Sequence, residues 1–459
     1  MKLLKDISYS LTSNVMNMLA SALVVMIVPK VVGVTQYGYW QIFLFYTGYV
    51  GLFHFGWADG LFLRRGGERT ENLNAQAITG ELILFLVFQI IVSVFVITAA
   101  MFVSNHYRYI TIAVSLAIVV MNLKTWITML LQATGQFKSA AINVLTQTTI
   151  YFILILLLVL LRVRWFETYV AAFLIAQTAT SISGIVQLRP LLSKVDYSNV
   201  MDSLSEAKQN IHVGSQLMVA NFSALLILGV ARLGIQKNWS VEIFGQVSLM
   251  LSVANLIMLF INAVSVVLFP TIRRSTVNIS NLYHRVRTLL MPLLYYVMLL
   301  YYPIVLILKI WLPEYKQALP YFSVLMPMMF YQGKFEILSN TFMKSLRLER
   351  KLLIINLSSL ILSAILTGIF SIVFHLLSGV VISMAIVLAF RSVLSEIIIG
   401  RYIEGIKFGQ SIFETIVIAI FISMNWNLPI GMSFVFYLLF LGAYSALKFN
   451  DVRYALKKI

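Results

Sequence analysis

Fourteen apolar segments, most of them near 20 residues, recur from one end of the chain to the other. They lie at about 10–33, 40–63, 82–103, 109–131, 140–161, 166–188, 213–236, 243–269, 288–310, 319–343, 352–374, 378–400, 411–425 and 429–447. A bilayer core about 30 Å thick needs about 20 apolar residues of helix to cross it. Lipid offers a backbone amide no partner, so each span must close its own hydrogen bonds, which an α-helix does. Barrel strands would alternate over about ten residues, and these runs do not. The composition agrees: 60% of the 459 residues are hydrophobic and 11% are charged, against about 25% charged in a soluble domain. The expected fold class is all-α, a polytopic membrane protein with about 14 transmembrane helices.

Charge sets the orientation. Of the 34 Lys and Arg residues, 23 fall on the tails and loops of the N-terminal side, 7 on the opposite loops and 4 inside spans. Positive charge accumulates on cytoplasmic loops, so both termini are expected in the cytoplasm. The net charge of +17 has this topological meaning and does not point to nucleic acid. The N-terminal run to Val34 carries Asn14 and Asn17 and lacks a small-x-small cleavage site, so it reads as a retained first span. The chain has no cysteine, which excludes disulfides, thiol catalysis and cysteine metal sites. Walker A, H-E-x-x-H and G-x-S-x-G motifs are absent, and the five histidines are far apart in sequence. The chain reads as a non-enzyme, with no cofactor and no metal expected.

The two halves echo each other. Asn14, Gly38 and Leu61-Phe62 return 207 positions later as Asn221, Gly245 and Leu268-Phe269, and LFLRR at 61–65 returns as LFPTIRR at 268–274. A fixed offset with matching span order is expected of a transporter built from parallel repeats. The expected organisation is an N-terminal lobe 1–190, a cytoplasmic linker 191–212 with a short polar helix at 202–212, a C-terminal lobe 213–400, and an appendix 401–459 formed by spans thirteen and fourteen. Pro190 should end the sixth helix, and the short thirteenth span leaves a re-entrant or interfacial element open.

Four cations lie inside spans: Lys124, Arg232, Lys334 and Arg391. A charge at the bilayer centre costs about 2.5–3.5 kcal/mol on insertion scales, so it should face a cavity or a partner. Arg232 lies near the outer end of its span, where it could instead snorkel outward. Glu336 is the one comparably deep acid, and Glu396, nearer the inner edge, could reach Arg391 or a neighbouring helix. The interior therefore reads as net positive, a state that favours a visiting anion. Span ten, with Pro320 and Pro327 followed by Gln332, Lys334, Glu336 and Asn340, has the pattern of a broken helix at a binding site. Polar stripes run along span one (Ser10, Asn14, Asn17, Ser21), span eight (Ser248, Ser252, Asn255, Asn262) and span eleven (Asn356, Ser359, Ser363, Thr367). Such stripes serve interhelical hydrogen bonds or line a wet lumen, and their recurrence favours a lumen.

The segment FHFGWADGLFLRRGG at 53–67 combines several of these signals. Gly56 and Gly60 allow close helix packing. Asp59 cannot reach Arg64 on one straight helix, so it should contact another span, with Lys124 a candidate. Arg64 and Arg65 anchor the topology by default. With Arg273 and Arg274 they could also flank an inward mouth and attract phosphate.

YGYWQ at 37–41, FGWADGLFLRRGG at 55–67 and LQATGQFK at 131–138 resemble the Wzx-type oligosaccharide flippases, in the polysaccharide-transporter branch of the multidrug/oligosaccharidyl-lipid/polysaccharide (MOP) exporter superfamily. The resemblance covers the whole chain in length and span order. It implies two six-helix lobes related by a pseudo-two-fold around a central cavity that opens alternately to each side. It also implies a bacterial cytoplasmic-membrane location and undecaprenyl-diphosphate-linked glycan as substrate, for capsule, exopolysaccharide or O-antigen synthesis. Cations in the cavity, a family habit, would be Lys124, Lys334, Arg391 and Arg232. The expected substrate-binding set adds Arg64, Arg65, Asn14, Asn17, Asn255 and Asn262. Asp59 and Glu336 are the acids to test for Na+ or H+ coupling. Membrane lipids are the other partners. A lipid II or teichoic-acid precursor flippase is the nearest alternative. A membrane glycan polymerase or ligase would need larger outer loops.

Overall fold

A computed structural model describes the backbone of residues 2–457 except 69, 70, 72, 103, 193–199, 275–277 and 407; side chains are described from Met16 onward, save also 105, 190–191, 200–202, 259–274 and 456–457. Among the described residues the secondary structure is helical, with no strand. The chain divides into two compact units, Met1–Phe222 and Ser223–Ile459.

The first unit begins with α1 (Lys2–Val32), α2 (Val34–Thr47) and α3 (Trp57–Arg65). It continues with α4 (Ala75–Ala100), α5 (Asn105–Ala133), α6 (Phe137–Leu160), α7 (Phe166–Leu192) and the first part of α8 (Val200–Asn238). The second unit holds the rest of α8, then α9 (Val241–Arg274), α10 (Ile279–Met298), α11 (Tyr301–Trp311) and α12 (Leu319–Lys334). It closes with α13 (Thr341–Ser345), α14 (Glu349–Gly368), α15 (Leu377–Ile399), α16 (Phe408–Asn427) and α17 (Ile430–Lys457).

Eleven helical segments among the described residues are long and apolar enough to cross a membrane, and Met16–Val32 is a shorter apolar one. The two remaining expected spans are interrupted helices. The second span is split into α2, a 3₁₀ turn at Val50–His54 and α3. The tenth runs from α12 through a π-helical turn, Phe335–Asn340, into α13. The chain is therefore a multi-pass helical membrane protein.

Several boundaries differ from the sequence expectation. α7 continues through Pro190 to Leu192, and the polar stretch 202–212 is the first part of α8, continuous with the seventh span. The internal echo is kept where helices start: α2 begins at Val34 and α9 at Val241, 207 positions apart. It is lost after that, because α9 is continuous where the first unit has its break.

Glycine explains why the break at 48–56 closes against α8. Gly56 has a φ of +81°, a left-handed conformation that a side chain disfavours, and it starts α3. A Cβ on Gly60 would overlap the backbone of Asn210, and one on Gly214 would overlap that of Gly56. α3 and α8 thus meet backbone to backbone. We expect Gly60→Ala to cost about 1–3 kcal/mol, the usual range for overpacking. Gly442→Ala, on a helical stretch of α17 with open space around it, should leave stability unchanged or raise it by about 0.5–1 kcal/mol. Thermal melts of the two purified variants check the pair.

Candidate functional site

Polar groups inside the first unit gather at the interrupted helix. The break frees backbone carbonyls that lipid would leave unpaired. Side chains from the next two helices satisfy them: Asn122 Nδ2 donates to the Val50 carbonyl at 3.1 Å and to Gln89 Oε1 at 2.7 Å, and Gln89 Nε2 donates to the Phe53 carbonyl at 3.3 Å. The Gly56 amide donates to His54 Nδ1 at 3.2 Å. His54 Nε2 stands 3.9 Å from Asp59 Oδ2. Asp59 therefore faces His54 and not Lys124, because α3 is a separate short helix whose first turn points back toward the break.

Arg64 and Arg65, at the end of α3, grip the start of α8. Arg64 Nη1 donates to Glu206 Oε2 at 2.9 Å and to Asn210 Oδ1 at 2.7 Å, and its Nη2 donates to Gln209 Oε1 at 2.7 Å. Arg65 Nη2 reaches Glu206 Oε2 at 3.2 Å. Asn210 passes the contact inward, donating to Glu81 Oε1 at 2.6 Å, which also accepts from Trp57 Nε1 at 2.7 Å. Glu81 is 1% exposed. The arginine pair thus holds an internal carboxylate, in addition to whatever it contributes to topology. The partner pair expected to complete a mouth, Arg273 and Arg274, has side chains outside the described residues.

Lys124 is different. It sits nine residues from the end of α5, about 14 Å along the axis. Its ammonium donates to Gln147 Oε1 of α6 at 2.7 Å and to Gln177 Oε1 of α7 at 3.0 Å. No carboxylate lies within ion-pair distance among the described residues. A half-buried charge held only by amide oxygens keeps its charge uncancelled and one N–H to offer.

The second unit removes Lys334 from the uncancelled cations. Lys334, at the end of α12, is 1% exposed. Its ammonium donates to Glu396 Oε2 of α15 at 2.7 Å and to Glu414 of α16. Arg287 of α10 binds the same two carboxylates, Ser411 adds a hydroxyl to Glu396, and the Tyr283 hydroxyl donates to Glu396 Oε1 at 3.3 Å. Two cations and two anions cancel. Lys334 is a member of a buried neutral quartet, and Glu396 reaches it rather than Arg391. Glu414, on the thirteenth span, is the fourth member of this cluster.

Arg391 is buried without an acid at ion-pair distance among the described residues. Its Nε and Nη2 donate to Asn356 Oδ1 at 3.0 and 2.8 Å, and its guanidinium lies 3.6 Å from the centre of the Phe335 ring. Such stacking on an aromatic face favours a cation. Arg232 is half-buried beside the Phe244 ring and donates to Ser248 Oγ at 3.2 Å; it packs inward at this contact instead of only snorkelling. Glu336, half-buried at the π-turn, accepts from Asn340 Nδ2 at 2.7 Å.

The polar stripe of α14 serves packing. Asn356, Ser359, Ser363 and Thr367 are all buried, and Ser363 donates to the Ile227 carbonyl at 2.6 Å. The lumen reading of that stripe does not hold within the second unit. Asn17 accepts from Thr148 Oγ1 of α6 at 3.3 Å, and Asn255 is exposed. The side chains of Asn14 and Asn262 lie outside the described residues.

Sequence reasoning missed Arg287, Glu414 and Glu81. By span boundaries Arg287 falls in a loop, although LYHRVRTLL has helical spacing; Glu414 lies inside an apolar run, and Glu81 stands just before the third span.

No family model matches the chain, and no curated protein matches it in sequence. Solved structures do match in fold. A structure described as lipid II flippase MurJ in an inward closed conformation aligns with a TM-score of 0.65 at 13% identity, covering 98% of this chain and 99% of the other. An inward-facing multidrug resistance MATE family transporter of the MOP superfamily aligns with a TM-score of 0.54 at 11% identity, over 89% and 98% of the two chains. Its outward-facing counterpart gives 0.51 at 13% identity, over 91% and 96%. The chain shares the helical membrane-transporter fold of these proteins along nearly its whole length.

Proposed function

We propose that this protein is a flippase of the bacterial cytoplasmic membrane that moves undecaprenyl-diphosphate-linked oligosaccharide from the cytoplasmic to the outer leaflet by alternating access, for capsule, exopolysaccharide or O-antigen synthesis. The observation that carries the reading is Lys124: a membrane-embedded ammonium positioned by two glutamines, with no acid at ion-pair distance among the described residues. Its insertion is costly, and a diphosphate would supply the missing charge through charge-assisted hydrogen bonds. Arg391, oriented by Asn356 and Phe335, is the corresponding cation of the second unit. A multidrug cation carrier would want acids at these positions. An interior negative by 100 mV favours outward movement of each negative charge by about 2.3 kcal/mol, so the substrate anion brings part of its own driving force.

A place for the lipid tail supports the same reading. A cavity of about 380 Å³ between α11, α16 and α17 is lined by Tyr302, Val417, Phe421, Tyr437 and Phe440 among others. It is apolar and suits a polyprenyl chain. Lys334 leaves the proposed substrate-binding set because the quartet neutralises it, and Arg64 and Arg65 leave it because Glu206 occupies them. Asp59, buried, and Glu336, half-buried, each near a helix break, are the acids that would carry proton or sodium coupling.

The second reading, transport of lipid II, is favoured by the fold likeness to a lipid II flippase over the full length of both chains. Complementation separates the two. Expressed in strains lacking their own flippase, the chain should restore glycan display in an oligosaccharide-flippase knockout and fail to support growth when the lipid II flippase is depleted. The opposite pattern would establish the second reading, and rescue of neither would remove both.

A further inference from the structure

The face of α16 turned toward α15 carries two successive cavities. The inner one, about 430 Å³, is lined by Glu396, Gly400, Arg401, Phe408 and Ser411 among others. The outer one, about 370 Å³, is lined by Ala385, Ala389, Ala419, Ile422 and Trp426 among others. On α16 the inner one is bordered by Ser411 and the outer one by Thr415, one turn apart on the same face. The three alanines come from both helices and leave the gap between them unfilled. Succeeding one another along α15 and α16, the two cavities set a polar end before an apolar one.

The polar end has a particular electrostatic character. Glu396 lies on its floor but is already bound by Arg287, Lys334 and Ser411. Arg401 is exposed at the rim and makes no side-chain hydrogen bond or ion pair with a described residue. The polar end thus offers one uncompensated cation. Arg401 belongs to the side of the chain on which Lys and Arg concentrate, where anionic headgroups attract basic residues by about 1 kcal/mol each.

We infer that this pair of cavities is a binding site for an anionic phospholipid, with the phosphate on Arg401 and an acyl chain in the alanine-lined slot. The order of charge then slot matches an amphiphile lying along the helices. A lipid seated there would cover Ser411 and Glu396 and so brace the charged quartet from its α15–α16 side. The site shares no lining residue with the tail cavity between α16 and α17, and it does not depend on which glycan is carried.

The test uses the purified full-length protein in neutral detergent, supplemented with phosphatidylglycerol or with phosphatidylcholine of the same acyl chains. Phosphatidylglycerol should raise Tm above the phosphatidylcholine value by about 2–5 °C, as a ligand well above its Kd does. Arg401→Gln should abolish that difference. Ala419→Phe, at an exposed position, should reduce it by blocking the slot. An equal response to the two lipids overturns the proposal, as does a difference that survives both substitutions. The same shift from glycerol phosphate alone also overturns it, since the slot would then be irrelevant. So does a lipid-independent dimer that Ala419→Phe dissociates, because a second copy would then be the occupant.

Discussion

Truncating Glu414 to alanine is expected to deplete the folded protein severely. Arg287 and Lys334 would be left buried with Glu396 as their shared carboxylate. Removing one member of a buried ion cluster costs about 3–5 kcal/mol, mostly because the remaining charge has no water to return to. That is a large share of the about 5–15 kcal/mol that holds a typical domain together. The measurement is the monodisperse yield in detergent and the Tm of what remains. Lys334→Met combined with Glu414→Leu should recover much of the loss, because a cation and an anion leave together and apolar groups take their place. The recovered double variant should still export glycan, since Lys334 is a structural cation here. If Lys334→Met alone kept full stability and stopped export, the lysine would be acting on substrate and the assignment of the quartet would be wrong.

Lys124→Met should behave in the opposite way. Stability should hold or improve slightly, because a costly embedded charge is removed and the two glutamine oxygens it bound are neutral. Transport should fall by about ten- to a hundredfold, the equivalent of the roughly 1.5–3 kcal/mol of hydrogen bonding to a charged group. Lys124→Arg keeps the charge but not the compact ammonium geometry that Gln147 and Gln177 accept, so it should retain part of the activity. Glycan exposed on the outer face, normalised to protein in the membrane, is the readout.

Much of the architecture was legible because lipid imposes it. Span length is a local property, and it anticipated the segments; Pro320 and Pro327 were expected to interrupt span ten, but Pro320 opens α12, Pro327 lies within it, and the irregular turn follows Lys334 instead. The break in the second span was harder to see. Its signal was two glycines in HFGWADG, which read as a packing motif and proved also to start a helix. The partners of charged residues were the illegible part. Arg287 meets Glu396 and Glu414 across 109 and 127 residues, and no spacing rule connects them. The serine stripe of α14 has the same period whether it faces water or a neighbour, and only the Ile227 carbonyl and Arg391 opposite it decide. Asp59 is kept from Arg64 on α3 as expected, but its neighbour is His54 of the preceding 3₁₀ turn and not the candidate Lys124, because the left-handed Gly56 folds that turn back toward it.

The central claim is that an uncancelled cation on α5 holds the phosphates of a lipid-linked glycan during its passage. It is tested most directly in proteoliposomes loaded with undecaprenyl-diphosphate-linked oligosaccharide, by following the fraction of glycan that becomes accessible to an impermeant lectin. Wild-type protein should expose the inner-leaflet pool, and Lys124→Met, equally folded and equally reconstituted, should expose it at least tenfold more slowly. Equal rates for the two proteins, or no exposure above empty vesicles by the wild type, would contradict the account.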